Sequence, residues 1–438
     1  MKVLLMSIFV CAILLIHPAV ILAQWTNGQN AQYVVGQPDF TTYTFGSGSQ
    51  KFNLPTKVAI DFTNNKMYVA DSRNYRVLRF AYPITSNNPT AERIFGTGTG
   101  GASQNQFYNN VTAVAVYNGT LWVCDQSGNR ILKFNNAFSA LTDAPNADGI
   151  LGQGSGANKY TTRTLGTTDA TFSSPTDIFI DASGNMWVVD NSNSRVLKFN
   201  DVNNKSDGAS ADLVLGQSGF LSSSQATTQS GMNRPTGVCV TGTGSSTVVW
   251  VADGLNNRVL RYDNPTISGA SANGVLGQID YTTSSGGTTD SKFSFSFYPG
   301  LSIDNSGRLY VSDYGNSRIM IFDNAAGKSN GASANSVLGQ SNFTTVSTTN
   351  GGQNHFYYNF MGPSVYGVTV DNTNNLLLVA DGGNNRVMTF NASSPLPVEL
   401  TSFTAVVNGS NVNLKWQTAT EVQNYGFEVQ RSEAGGQR

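Results

Sequence analysis

Charge is scarce in this chain. Asp, Glu, Lys and Arg make up 12 % of its 438 residues, and the formal net charge is −1. A surface built mainly from Ser, Thr, Asn and Gly gives no electrostatic reason to attract nucleic acid or an anionic membrane. Histidine is nearly absent: beyond the N-terminal apolar run only His355 remains, which excludes a multi-histidine metal site. Glutamate is missing from residues 24–391 apart from Glu92. There is no nucleophile elbow, no phosphate-cradling loop and no paired-cysteine motif, so no catalytic residue and no metal ligand is assigned. Of the three cysteines, Cys11 falls in the N-terminal run. Cys124 and Cys239 sit in apolar strand patterns of different repeats; a disulfide is chemically open to an exported protein, but two buried thiols are the expectation.

Long apolar runs are missing too, except at the start. Lys2 followed by Val3 to Ile16, with small residues near Ala23, reads as an export signal over residues 1–23. The competing reading is a membrane anchor, for which the run is short. With the signal removed, no transmembrane segment is expected, and the mature chain is placed outside the cytoplasm, secreted or on the cell surface.

What the chain has in abundance is glycine, 45 residues, and one sentence written six times. The copies are "MYVADSRNYRVLRF", "LWVCDQSGNRILKF", "MWVVDNSNSRVLKF", "VWVADGLNNRVLRY", "LYVSDYGNSRIMIF" and "LLLVADGGNNRVMTF". Each sets Asp and Arg five positions apart: Asp71 and Arg76, Asp125 and Arg130, Asp190 and Arg195, Asp253 and Arg258, Asp313 and Arg318, Asp381 and Arg386. β-Branched and aromatic runs flank the acid and the base, so each copy predicts a hairpin. A further strand precedes it, usually opened by proline as in "LPTKVAID" and "SPTDIFID". A loop often carrying "GASAN" or "GASAD" follows, then a brief run ending in "LGQ". Four strands recurring at roughly 60-residue spacing predict a blade of a β-propeller.

Counting the fourth strand predicts closure. "VVGQPDF" at residue 34 precedes every hairpin, while the last hairpin, ending at Phe390, has no such strand after it. Val34 to Gly36 are therefore expected to complete the final blade beside Arg386–Phe390. An open ring would leave an unpaired edge. The expected fold is all-β: a six-bladed propeller closed by an N-terminal strand, over residues 24–391.

With these residues in view, the units resemble NHL repeats, a family whose resemblance implies six blades. All six copies keep the Asp–Arg pair, which is expected to be a structural device: a charge-assisted bond fixing a turn. A catalytic residue need appear only once in a ring. Trp122, Trp187 and Trp250 could suggest a sugar-stacking platform, but the same slot holds Tyr68, Tyr310 and Leu378 elsewhere, which reads as core.

Less regular are the aromatics of "KFSFSFYPG" and "NHFYYNFMGP". Phe52, Phe107, Phe172, Phe297 and Phe360 are taken as one repeated position before the first strand. Phe295, Tyr298, Phe356, Tyr357 and Tyr358 do not recur, and they are candidate binding residues on the face that also carries the Asp–Arg turns. The competing reading is that they cover blade ends. Lys57 and Asp177 stand just after the opening proline, where other blades have Gly or Ala, and they complete the candidate set. Similarity to gluconolactonase-like propellers would imply a divalent ion in the channel. One acid and one base from separate blades is a thin constellation for it. No cofactor is expected; calcium at the Asp-rich turns is conceivable, but they lack the ligand spacing of a dedicated loop.

After Asn391 the pattern changes. Residues 392–397 read as a Pro-rich linker, and residues 398–438 resemble the start of a fibronectin type III-like module of exported bacterial proteins, on "LPVELTSF" and "LKWQTATE" with "NYGFEVQRS". Three strands are expected where such a sandwich needs about seven, so an incomplete module is inferred, and surface attachment is what the resemblance implies. Taken together, the leading expectation is a monomeric, non-enzymatic propeller that binds an extracellular protein or glycan around the channel. The rival is a lactonase- or lyase-like enzyme with a channel cation.

Overall fold

The computed structural model describes residues 25–295, 300–346, 350–357, 365–392, 400–408 and 411–418. They divide into two units: residues 25–392, and a second unit that holds the tail.

Six four-stranded antiparallel sheets, each ordered A to D, make the first unit. Blade 1 comprises Pro55–Asp61, Lys66–Asp71, Arg76–Ala81 and Arg93–Phe95. Blade 2 is Val111–Tyr117, Thr120–Asp125, Arg130–Phe134 and Gly149–Leu151. Blade 3 is Pro175–Ile180, Met186–Asp190, Arg195–Phe199 and Leu213–Leu215. Blade 4 is Pro235–Thr241, Val248–Asp253, Arg258–Asp263 and Gly274–Leu276. Blade 5 is Leu301–Ile303, Leu309–Asp313, Arg318–Phe322 and Ser336–Leu338.

Blade 6 takes Val365–Asp371, Leu376–Asp381 and Arg386–Asn391 from the C-terminal side. Its D strand is Tyr33–Val35, paired as Tyr33 with Thr389, Val34 with Met388 and Val35 with Val387. The expected closure is therefore present. Strand A of each blade packs on strand A of the next, around to blade 6 on blade 1.

Every sheet is covered on both faces by its neighbours, so the middle strands are apolar without alternation. Met186–Asp190 and Leu309–Asp313 are buried at every residue. The B-strand slot of Trp122, Trp187 and Trp250 packs between sheets, each ring at most 1 % exposed. Cys124 and Cys239 are free thiols, fully buried, and burial pushes both well above the ordinary thiol range.

The "LGQ" strand owes its glycine to two constraints at once. Gly36, Gly96, Gly152, Gly216, Gly277 and Gly339 have φ between +84° and +89°, where a Cβ is strained. In five of the six blades an aromatic ring also fills the space that Cβ would take, as Phe52 does 2.1 Å from the Cβ position of Gly36. In five of the six a glutamine follows and donates to the turn: Gln217 Nε2 to the Ser194 carbonyl at 2.9 Å, Gln278 likewise to Asn257.

This slot corrects the aromatic register. The residues packed on these glycines are Phe52, Phe107, Phe172, Met232, Phe293 and Phe356. Phe297 and Phe360, which the distance to proline singled out, lie outside the described residues. Blades 5 and 6 insert extra residues between the anchoring ring and strand A, so counting back from proline lands on the wrong phenylalanine.

A second sixfold device guards the outer edges. In each D strand the central residue donates its N–H to a side chain of the neighbouring blade's C–D loop and accepts from the next residue's N–H. Ile150 N–H bonds Asp207 Oδ1 at 2.9 Å, and Gly208 N–H bonds the Ile150 carbonyl at 3.0 Å. Val34 with Asn87, Ile94 with Asp143, Val214 with Ser268 and Val275 with Asn330 repeat the pattern. At blade 5 the stitch comes from the N-terminal segment: Val337 N–H bonds Asn27 Oδ1 at 2.9 Å, and Gly28 N–H bonds the Val337 carbonyl at 3.2 Å. Trp25 anchors this segment, its Nε1 donating to the Tyr310 hydroxyl at 3.0 Å. Residues 25–35 thus supply a whole C–D loop as well as a strand, and no outer edge is left as an open template.

In the tail, Leu400–Asn408 and Asn411–Thr418 form an antiparallel hairpin. The third expected strand lies outside the described residues.

Candidate functional site

The six Asp–Arg turns are built alike. A short 3-10 turn follows Asp, and the residue before Arg is left-handed, with φ from 48° to 53° at Tyr75, Asn129, Ser194, Asn257, Ser317 and Asn385. Among residues with a side chain asparagine tolerates that region well, and it fills three of the six places. Every Arg Nε donates to its Asp Oδ2 at 2.7–2.8 Å, and both side chains are buried. In five of the six, the Asn three places after Asp donates to the same oxygen, as Asn193 does at 2.8 Å; blade 2 has Gly128 there. The other carboxylate oxygen accepts the N–H that follows the anchoring ring, as in Ser173 to Asp190 at 2.7 Å.

The guanidinium then ties loops together. Arg258 Nη2 donates to the Thr228 and Gly231 carbonyls before its blade, and Nη1 to the Tyr281 carbonyl after it, at 2.5 Å. Arg386 does the same between His355 and Phe40, across the ring's closure. Burial lifts the Asp71 carboxyl to about 6 and raises those of Asp125, Asp190, Asp253 and Asp313, while each neighbouring arginine pulls the other way. These oxygens are engaged by Arg and by backbone N–H in the turns shown and, in five of the six, by Asn.

Where the repeat breaks is more informative. Strand A of each blade turns its first residues to the channel. One position holds Thr56, Thr112, Thr176 and Thr236, with Tyr366 in blade 6; the next holds Lys57, Ala113, Asp177, Gly237, Gly300 and Gly367. The small residues make room for one long contact. Lys57 Nζ from blade 1 reaches Asp177 of blade 3 at 3.2 Å from Oδ1 and 3.3 Å from Oδ2. Asp177 Oδ2 also accepts from Val238 N–H of blade 4 at 3.1 Å. Gly367 is needed opposite: a Cβ there would stand 2.4 Å from the Thr56 carbonyl oxygen and 3.0 Å from Lys57 Cδ. Burial raises the Asp177 carboxyl and Lys57 lowers it. The sequence singled out this acid and base; their meeting across 120 positions was not legible there.

Above the pair lies a hollow of about 180 Å³, bounded by the threonines, Gln126, Arg73 and Tyr366. Tyr366 stands edge-on to Tyr314, ring centroids 5.4 Å apart. A second hollow of about 250 Å³ adjoins it between blades 6 and 1, sharing Leu54 and Arg73 and adding Phe45, Tyr357, Gly382 and Gly383.

Two of the candidate aromatics are elsewhere. Phe356 is fully buried, 5.9 Å from the Phe390 ring centroid, and Phe295 is 2 % exposed and stacked 4.6 Å from Phe293. Rings without free surface cannot stack a ligand, so both are corrected to packing residues. Tyr357 is half-buried; its N–H donates to Asp381 Oδ1 at 2.9 Å and it lines the second hollow. Tyr298 and Tyr358 lie outside the described residues. Residues passed over in the sequence are Arg73 and Phe45. Arg73 had a signal: its turn position holds Ser127, Ser192, Leu255, Gly315 and Gly383 in the other blades.

The channel lining offers one carboxylate, and an ammonium already holds that carboxylate within hydrogen-bond reach. Among the described residues no three of His, Cys, Asp and Glu gather into a ligand set. Hard cations need several oxygen ligands.

Residues 52–80 match the family model for the NHL repeat. The other five blades repeat the Arg Nε to Asp Oδ2 bond found in that stretch. No curated protein matches the chain. Among solved structures, one titled "Streptogramin B lyase structure" is similar at 11 % identity and a TM-score of 0.41, covering 80 % of this chain and 95 % of that one. No helix among the described residues is long and apolar enough to cross a membrane.

Proposed function

We propose that this NHL-repeat propeller is a secreted or cell-surface binding module that takes its ligand at the channel mouth and does no chemistry of its own. One observation carries the reading: sixfold regularity holds throughout the scaffold and fails at the mouth. Structural devices recur in every blade, because each blade must solve the same packing problem. Lys57, Asp177, Arg73 and Tyr366 occur once, and all four line the same hollow. A rigid scaffold with irregular residues converging on a concavity is the usual form of a binding site. Export is supported by the Lys2-led apolar start and by the tail's likeness to modules of exported proteins.

The test is a glycan and protein binding screen with the purified chain and with Thr236→Phe or Thr112→Phe, each of which plugs the hollow. A ligand held by the wild type and lost by a plugged variant of unchanged Tm supports the reading. Equal capture by wild type and such a variant refutes it.

A further inference from the structure

We propose that the ligand is an acidic oligosaccharide, with one hydroxyl-rich unit seated in the channel mouth and the carboxylate of a neighbouring unit held by Arg73 at the rim. This rests on the binding reading above and adds the ligand's chemistry.

The inner hollow sets the first half. At about 180 Å³ it falls below the ~300 Å³ of a drug-sized pocket, so it admits one ring and not a run of them. Its uncharged polar groups are hydroxyls and amides, among them the four threonines and Gln126, set among apolar surface to which Leu54 and Tyr366 contribute. Its single ion pair is internally neutral, because Lys57 and Asp177 face each other at 3.2 Å. A charged unit would gain from one partner and lose to the other, whereas a polyol can donate and accept without penalty. Thr176 Oγ1, buried in that wall, has no hydrogen-bond partner among the described residues.

The outer hollow sets the second half. Arg73 lies on the boundary shared by both hollows and is exposed, and among the described residues it enters no ion pair. A free guanidinium recognises carboxylate through paired N–H donors. Phe45, 73 % exposed, and Tyr357 flank it over a floor of Gly382 and Gly383. An exposed ring and a half-buried one beside a backbone floor suit the flat apolar face of a sugar ring.

An extended peptide fits less well. Strand addition needs a free sheet edge. The D strands are stitched at their centres by neighbouring loops, and the blade 6 edge is covered by the same device.

The experiment measures binding of the full mature chain to a panel of uronate hexamers, to the same hexamers with carboxyls methyl-esterified, and to hexaglutamate. The acidic sugars are expected to bind at least tenfold tighter than their esters, with the preference falling as salt rises. Arg73→Gln should remove that tenfold preference with Tm unchanged. Phe45→Ala should weaken acid and ester alike.

Equal affinity for acid and ester, or a preference that survives Arg73→Gln, overturns the acidic part, while ester binding keeps the mouth a binding site. Hexaglutamate bound tighter than every sugar through Arg73 overturns the saccharide class. Failure of all these probes overturns the inference; the binding reading falls with it only when the plug-sensitive screen is also empty.

Discussion

Replacing Asp253 with alanine strips three donors of their acceptor. Asn233 N–H, Asn256 Nδ2 and Arg258 Nε all point at its carboxylate, at 2.6, 2.8 and 2.8 Å. Arg258 stays fully buried with its charge, held by carbonyls of Thr228, Gly231 and Tyr281. Breaking a buried pair from one side costs about 3–5 kcal/mol. With an unfolding entropy of ~2.1 cal/mol/K per residue over residues 25–392, the midpoint should fall by about 4–7 °C. Arg258→Met should cost less, because Asp253 keeps Asn256 and the Asn233 N–H, and its carboxyl is already raised by burial. The double variant should fall short of the sum by at least ~1 kcal/mol, as groups sharing one network do. Urea denaturation followed by tryptophan emission reads all three, and Trp250 lies in the same blade. A single-variant cost under ~1 kcal/mol, or strict additivity, would refute the claim that these turns hold the ring.

Gly277→Ala places a Cβ 2.3 Å from Phe293 at φ +85°, so it should destabilise by about 2–5 kcal/mol; Gly219→Ala, with open space around it, should be neutral in the same melt. Removing residues 25–29 should bare the Ser336–Leu338 edge and produce self-association in size-exclusion chromatography; a monomer of full stability would contradict the stitch. The Asp71 carboxyl is raised to about 6 in the fold against an ordinary 3.8, so the folded chain takes up its proton first. Its contribution is complete below pH ~4 and lost as pH rises through 6, so wild type should gain on Asp71→Asn by up to about 3 kcal/mol from pH 7 to pH 4 in paired melts.

The architecture was legible because one unit is written six times, and comparison of copies separates scaffold from exception. Closure by Val34 was legible by counting strands. The register of Phe293 and Phe356 was not, since inserted residues displaced the proline used as a ruler. Nor were the edge stitches: Asn27, Asn87, Asp143, Asp207, Ser268 and Asn330 share an acceptor oxygen but not a residue type. The contact of Lys57 with Asp177 depends on the ring's curvature, which no local pattern encodes. Arg73 was readable in the alignment of turns, but a lone exposed arginine signals little until two hollows are seen to meet at it.

The strand Arg386–Asn391 lies between Leu376–Asp381 and Tyr33–Val35, and the chain leaves for its tail one residue later. Any tension arriving along that tether is borne by a strand laced on either flank. Extracting it means shearing two ladders together rather than peeling one from a border. A pull on the C-terminal end of the propeller therefore meets the two-ladder resistance that the third strand of every blade has.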